Sequence, residues 1–140
     1  MERFLIDHML MRLGRWLRLL GQDAANPIDA SDIELLEMAK RDQRTLITRD
    51  RGLEQSCRVA GARCILIKSS FLDEQLIEMR DRGIPLQLSP QRCTICNSPL
   101  RKVEESENIT WQCTQCKKLY WVGAHWEKME RMLDDIISRR

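Results

Sequence analysis

The sequence predicts an α/β protein: a first domain with a mostly parallel β-sheet between helices, then a small cysteine-rich module and a terminal helix. Two observations lead to this prediction. Short apolar runs alternate with helix-like segments up to residue 82, which is the pattern of a parallel sheet. Beyond a segment rich in proline and glycine, the composition changes, because four of the six cysteines lie there. We place the three parts at residues 1–88, 89–124 and 125–140.

Four short apolar runs predict the strands of the sheet. The first, third and fourth contain branched apolar side chains, which suit a buried strand, and helix-like segments separate the runs. The second run is the weakest, because it is short and ends in proline. The predicted strands cover residues 3–6, 24–27, 45–48 and 64–67.

Four helices are expected between and after these strands. Leucines three or four residues apart predict the first helix, and Gly21 suits the position just past its end. Ser31 opens the second helix, since it forms a capping box with Glu34. Gly61 and Gly83 follow the ends of the third and fourth. The predicted helices cover about residues 10–20, 31–41, 52–60 and 70–82.

The composition limits the class of protein. Hydrophobic residues make up 43% and charged residues 31%, which supports a folded core and argues against a disordered chain. No run of about 20 apolar residues exists, so we expect no membrane span. Asp7 interrupts the N-terminal apolar stretch, which argues against a secretory signal and for a cytoplasmic protein. The net charge of +2 does not by itself indicate a nucleic-acid binder.

Three aspartates follow the predicted strands. Asp7 ends the first strand, Asp32 lies in the first turn of the second helix, and Asp50 follows the third strand by two residues. Ligands of open parallel sheets bind beyond the carboxyl ends of the strands. Clustered carboxylates suit Mg²⁺ or Mn²⁺, metals that support phosphodiester cleavage. In the alternative interpretation these residues bind no metal. The helix dipole then favours Asp32 in the first turn of its helix, and Asp50 is a turn or helix-cap residue.

Four cysteines after residue 90 form two C-x2-C pairs, Cys93 with Cys96 and Cys113 with Cys116. Cytoplasmic disulfides are rare, so this spacing favours a four-cysteine zinc ribbon over a redox pair. Four thiolates fill the coordination shell of Zn²⁺, and the predicted zinc site is therefore structural. The ribbon is also a candidate surface for a protein partner.

The motifs together resemble a known family. Phe4-Leu-Ile-Asp7, residues 29–36 (DASDIELL) and Leu46-Ile-Thr48-Arg49-Asp50 resemble the acidic motifs of PIN-like ribonucleases. With residues 11–21 (MRLGRWLRLLG), the cysteine pairs and residues 120–126 (YWVGAHW), the chain resembles PIN-like proteins with a C-terminal zinc ribbon. These are related to the C-terminal ribonuclease domain of mutator-type exonucleases. The resemblance implies a three-layer PIN-like fold and a Mg²⁺- or Mn²⁺-dependent ribonuclease, with Asp7, Asp32 and Asp50 as the metal ligands.

The usual fourth acid of PIN-like nucleases has no clear equivalent in this sequence. Asp23, Asp29 and Glu54 are candidates, none of them within the family's motif. Two alternatives therefore stay open: a non-catalytic RNA- or ribosome-binding adaptor with a degenerate site, and the toxin half of a toxin–antitoxin pair. If the protein is a ribonuclease, its expected partner is RNA, with tRNA and ribosome-associated RNA as candidates.

Three arginines recur every third residue on the first helix: Arg12, Arg15 and Arg18. They are expected to form one basic rim that contacts RNA phosphates, or else a solvated helix face. Thr48 is a candidate to hold a ligand carboxylate or a water molecule, unless it merely ends its strand. Arg49 is a candidate to neutralise phosphate charge.

The residues around the second cysteine pair offer further candidates. The resemblance gives His125 a role at the domain junction or in RNA contact. Trp111, Tyr120 and Trp121 are suited either to base stacking or to packing in the thin ribbon core, and we favour packing. The apolar residues of the terminal helix predict that it docks on the first domain.

Overall fold

The computed structural model describes residues 2–104 and 108–139. A first sheet is followed by a second, smaller sheet and a terminal helix. The strands are β1 (Phe4–Ile6), β2 (Ala24–Ala25), β3 (Thr45–Thr48), β4 (Cys64–Leu66), β5 (Leu100–Val103), β6 (Thr110–Cys113) and β7 (Leu119–Trp121). The helices are α1 (Met11–Leu19), α2 (Asp32–Arg41), α3 (Arg51–Ala60), α4 (Leu72–Arg80) and α5 (Ala124–Ile137), with a 3-10 turn (His8–Leu10) before α1.

The first four strands form a parallel sheet in the order β2-β1-β3-β4. The α/β architecture predicted from the sequence is therefore confirmed. Since every strand of this sheet runs in the same direction, the residues that follow β1, β3 and β4 lie at one edge. The candidate acidic site around Asp7 lies at that edge.

Two apolar clusters cover the two faces of this sheet and make the domain three-layered. Side chains alternate along β1, so that Phe4 and Ile6 join one cluster while Leu5 joins the other. The first cluster takes residues from α1, α4 and α5, including Leu133 and Ile136 of the terminal helix. The second takes residues from α2 and α3.

The elements agree with the sequence predictions except at their ends. Ser31 and Glu34 form the predicted capping box at the start of α2, and Gly61 adopts the left-handed conformation after α3. The strand expected at 24–27 has only two residues, because Pro27 lacks an N–H for a ladder bond. The helix expected at 70–82 is shorter, as α4 begins at Leu72 and ends at Arg80.

The second sheet is antiparallel, with the order β5-β6-β7. The two rings of Trp111 in β6 and Trp126 in α5 stack with centroids 5.7 Å apart, which joins this sheet to the terminal helix. The boundaries at residues 88 and 124 stay a prediction. None of the described helices has the length and apolarity needed to cross a membrane.

Replacing Gly21 by alanine is expected to destabilise the protein by roughly 1–3 kcal/mol. Gly21 lies two residues past the end of α1 with a φ of +85°, and an added Cβ would lie 2.9 Å from the Cβ of Ser89 in the segment leading to the second sheet. Urea unfolding measures the cost. Gly61→Ala is the matched control, because its φ is +77° but nothing lies within 4 Å. Equal costs for both variants would contradict the proposed close approach.

Candidate functional site

Asp7 lies at the carboxyl edge of the parallel sheet, immediately after β1. Its side chain is buried, with only 2% of the residue exposed. The hydroxyl of Thr48, at the end of β3, donates a hydrogen bond of 2.8 Å to Oδ2 of Asp7. The same hydroxyl accepts a 3.0 Å hydrogen bond from the backbone N–H of Asp50. Thr48 therefore fixes the Asp7 carboxylate and the loop that contains Asp50.

The second carboxylate oxygen of Asp7, Oδ1, is buried and receives no hydrogen bond from the described part of the chain. Nδ1 of the exposed His8 lies 3.1 Å from it, without the alignment of a hydrogen bond. A buried anionic oxygen without a donor costs free energy, and a cation is one way to compensate for it. The donor set at this point therefore fits a divalent metal.

Asp50 and Asp32 both lie at helix N-termini on this edge. Asp50 caps α3, since its Oδ1 accepts hydrogen bonds from the backbone N–H groups of Gly52 (2.8 Å) and Leu53 (3.2 Å). Asp32 is exposed and is the first residue of α2. Within residues 2–104 and 108–139, only the cysteines bring three or more ligand atoms within 4.8 Å of one another. The three aspartates therefore share an edge but do not form a compact cluster.

The three candidates for a fourth acid lie in different places. Asp23 precedes β2, so it lies at the opposite edge of the sheet, where Arg44 donates a 2.8 Å hydrogen bond to it. Asp29 is exposed in the loop before α2. Glu54 lies one turn after Asp50 in α3 and pairs with Arg58 at 2.9 Å. Because Asp23 lies at the opposite edge of the sheet from Asp7, it cannot complete an acidic site with Asp7.

Arg49 also has a buried atom without a partner. Its Nε receives no acceptor among the described residues. The side chain lines an open cleft with Lys68, Ser69 and Ser70, which follow β4 at the same edge. None of these three residues was predicted from the sequence, although their position directly after a predicted strand was a signal. A guanidinium without an acceptor beside a lysine is suited to bind a phosphate oxygen.

The four cysteines form the second candidate site. Their Sγ atoms all lie within 4.8 Å of one another, with 3.6 Å between Cys93 and Cys116 and 3.4 Å between Cys96 and Cys113. Tetrahedral Zn²⁺ with Zn–S bonds of about 2.3 Å places its sulfur atoms about 3.8 Å apart. The cluster therefore has the size and donor set for a zinc ion.

The surroundings favour the thiolate at Cys96 but not at Cys116. At Cys116 the hydrogen bond from the backbone of Lys118 lowers the pKa, but burial and the neighbouring Cys93 and Cys113 outweigh it and raise the pKa to about 11. The pKa of Cys96 is lowered to about 6, chiefly by a hydrogen bond from the side chain of Ser98. The thiolate is the form of cysteine that binds metal. The hydroxyl of Tyr120 lies 3.1 Å from Sγ of Cys93 and accepts a hydrogen bond from the backbone N–H of Thr94. Tyr120 therefore fastens β7 to the first cysteine pair.

The family model of the Mut7-C RNAse domain matches residues 2–133, which include both sheets and most of the terminal helix. The chain belongs to the Mut7-C RNAse domain family. This result confirms the family resemblance stated from the motifs. No curated protein and no solved structure matches the chain. Membership in the Mut7-C family indicates a ribonuclease-type function with RNA as the substrate.

In this Mut7-C protein the three arginines of α1 do not form one rim. Arg12 and Arg15 are exposed, whereas Arg18 is buried. Nε of Arg18 donates to the carbonyl of Ala24 at 2.7 Å, and Nη1 donates to the carbonyl of Thr94 at 2.8 Å. The expected position of Arg18 on the basic rim is therefore wrong, because the loop between Cys93 and Cys96 docks over it. Its side chain joins the two parts of the molecule.

His125 is exposed in the first turn of α5 and lines a cleft between α1, β7 and α5. Arg12 and Arg15 line the same cleft from the opposite side. The structure thus brings together three of the residues that the sequence analysis named as candidates for RNA contact. Thr48 and Arg49 lie instead at the acidic edge.

Proposed function

We propose that this protein is a Mg²⁺- or Mn²⁺-dependent ribonuclease that hydrolyses RNA phosphodiester bonds at the carboxyl edge of the parallel sheet. The observation that carries the proposal is the Asp7 carboxylate. It is buried and fixed through Oδ2 by Thr48, and its Oδ1 receives no hydrogen bond from the described residues, since Nδ1 of His8 lies 3.1 Å away without the alignment of one. A fixed anionic oxygen at the ligand-binding edge of a parallel sheet is suited to bind a divalent cation.

Asp7, Asp32 and Asp50 would hold the metal. When bound, it would supply an activated water as the nucleophile and stabilise the charge on the phosphate. Mg²⁺ usually keeps several waters and binds one or two carboxylates directly, so a spread set of acids suits a hydrated ion. The set is wider than 4.8 Å among the described residues.

The chain's own residues would bind and orient the RNA at this edge. Thr48 holds the Asp7 carboxylate in one orientation through its hydroxyl. Arg49, whose buried Nε has no acceptor in the described chain, would donate to a phosphate oxygen. Lys68 lines the same cleft and would add positive charge beside that phosphate.

We further propose that Cys93, Cys96, Cys113 and Cys116 hold a structural Zn²⁺. Four sulfur ligands leave no open position for substrate, so this metal would act in folding rather than in catalysis. Two of its ligands, Cys96 and Cys116, are exposed, which leaves this end of the ribbon accessible to RNA or to a protein partner.

One observation favours a second candidate function. The three aspartates do not form a compact cluster, and the fourth acid is not identified among the candidates. A non-catalytic adaptor that binds RNA, such as tRNA or ribosome-associated RNA, would need only the basic residues. The adaptor would bind RNA without cleaving it.

A cleavage assay tests the ribonuclease proposal. Labelled single-stranded RNA and tRNA are incubated with zinc-loaded protein, with and without Mn²⁺ or Mg²⁺. We expect metal-dependent products, and a loss of rate on the order of 100-fold or more in Asp7→Asn and in Asp50→Asn. Asparagine caps a helix as well as aspartate does, so Asp50→Asn should keep α3 intact.

Asp81→Asn is the matched control, because Asp81 is an exposed aspartate that follows the end of α4, away from the acidic edge. Metal binding has an independent readout in thermal stability. Saturating Mn²⁺ should stabilise the wild type by about 2.7 kcal/mol at 100 times its Kd, and Asp7→Asn should lose most of this gain. RNA that is bound but left intact, with no stabilisation by Mn²⁺, would favour the adaptor.

A further inference from the structure

A cleft of about 450 Å³ lies between α1, β7 and α5, away from the residues that hold Asp7. It is open on one side and none of its lining residues is acidic. The volume lies in the usual range for sites that bind small molecules or single nucleotides. Its basic residues are Arg12, Arg15 and Lys118, with His125 beside them.

The cations of the cleft lack acidic partners. Among the described residues, no carboxylate pairs with Arg12, Arg15 or Lys118. The ammonium of Lys118 lies 5.0 Å from the centre of the Tyr120 ring, and both residues line the cleft. Three positive charges that face one cavity without compensation are complementary to a polyanion.

Aromatic rings form the remaining wall. Trp121 is 58% exposed, so the packing in the ribbon core that we expected from the sequence is wrong for this residue. Trp126 is held in place by its stacking on Trp111. Trp16 packs partly against the core of the first domain and also lines the cleft. Fixed aromatic faces next to cations are the features with which proteins bind single-stranded nucleic acid.

We propose that this cleft binds one unpaired nucleotide of the RNA substrate, with its base stacked on Trp121 and its neighbouring phosphates on Arg12 and Arg15. The inference rests on the proposed function for the identity of the ligand. Arg12 lies in the first turn of α1, close in the chain to Asp7, so an RNA strand that leaves the cleft past Arg12 reaches the acidic edge. A base inside a duplex cannot enter the cleft, and the site therefore selects single-stranded RNA.

Equilibrium binding tests this inference separately from cleavage. A short fluorescein-labelled single-stranded RNA is titrated into the zinc-loaded 140-residue chain without Mg²⁺ or Mn²⁺. We expect Trp121→Ala to weaken binding about 10-fold. The double variant Arg12→Ala/Arg15→Ala should lower affinity and reduce the slope of log K against log salt by about 1.4, the value for two phosphate contacts to a single strand. Quenching of tryptophan fluorescence by RNA should be smaller in Trp121→Ala.

Matched controls come from exposed residues elsewhere. Arg63→Ala/Arg82→Ala removes two exposed arginines at the opposite edge of the sheet, and Val59→Ala truncates an exposed apolar residue of α3. Wild-type affinity in Trp121→Ala, or equal affinity for duplex and single-stranded RNA, would overturn the cleft proposal while leaving the cleavage proposal standing. Loss of binding in the cleft variants, with no cleavage by the wild type, would support the cleft and refute the nuclease.

Discussion

Removing the proposed zinc ion is expected to unfold the ribbon formed by β5, β6 and β7. These strands bury very little, since Thr110 and Cys113 are their only fully buried positions among the described residues. A module of this size cannot fold on such a core alone. Structural zinc contributes about 10–16 kcal/mol of apparent binding free energy to small zinc modules, which exceeds the stability of most domains.

Cys113→Ser tests this expectation. Cys113 is a buried member of the cluster, and serine is a poor zinc ligand of similar size. The variant should contain less than the single zinc per chain expected of the wild type, and amide protons of β6 should lose their protection from exchange. Cys64→Ser is the control, because Cys64 lies in β4, outside the cluster. Full zinc content in Cys113→Ser would contradict a four-cysteine site.

The parts of the fold that the sequence predicted are those that depend on local signals. The capping box of Ser31 and Glu34 needs only residues three apart, and the sequence shows it directly. The strand at Thr45–Thr48 matches its prediction at both ends, since a short apolar run buried on both faces has few alternatives. The cysteine spacing likewise predicts a cluster that the structure contains.

The features that the sequence could not predict depend on contacts between distant segments. The burial of Arg18 results from its hydrogen bond to Thr94, 76 residues further along the chain. Helical spacing gives the direction of a side chain but not what lies over it. The cleft beside α1 depends in the same way on where the second sheet docks.

The candidate acidic site shows the same limit. Parallel topology correctly predicts that residues after β1 and β3 share an edge, and Thr48 joins Asp7 to the Asp50 loop there. Topology does not give the distances between side chains, which depend on loops and rotamers. The aspartates consequently lie further apart than an oxygen cluster that binds metal without water.

Asp23→Ala is expected to destabilise the protein by roughly 3–5 kcal/mol, because Asp23 joins the parallel sheet to the ribbon by a partly buried ion pair. Its side chain is 12% exposed. Arg44 donates to Oδ1 at 2.8 Å, Nδ2 of Asn97 donates to the same oxygen at 2.7 Å, and Nη2 of Arg92 lies 3.5 Å from Oδ2. Alanine would leave two half-buried arginines without their anion.

The dependence on pH gives this prediction a second readout. Burial raises the pKa of Asp23, but hydrogen bonds from Arg44 and Asn97 outweigh it and hold the pKa below the ordinary value of 3.8. A lowered folded pKa means that the stabilisation is complete well above pH 3.8 and is lost as the pH falls through the folded pKa. The stability difference between wild type and Asp23→Ala should therefore shrink upon acidification.

Urea unfolding at neutral pH and at about pH 3 measures both effects. Asp81→Ala is the control, since Asp81 is exposed and pairs only with the neighbouring Arg80 at 3.4 Å in the described chain. An exposed pair of this kind contributes at most about 1 kcal/mol. If Asp23→Ala costs no more than Asp81→Ala, the junction does not depend on this carboxylate. If its cost is the same at both pH values, the stabilisation comes from packing instead of from the ionised form.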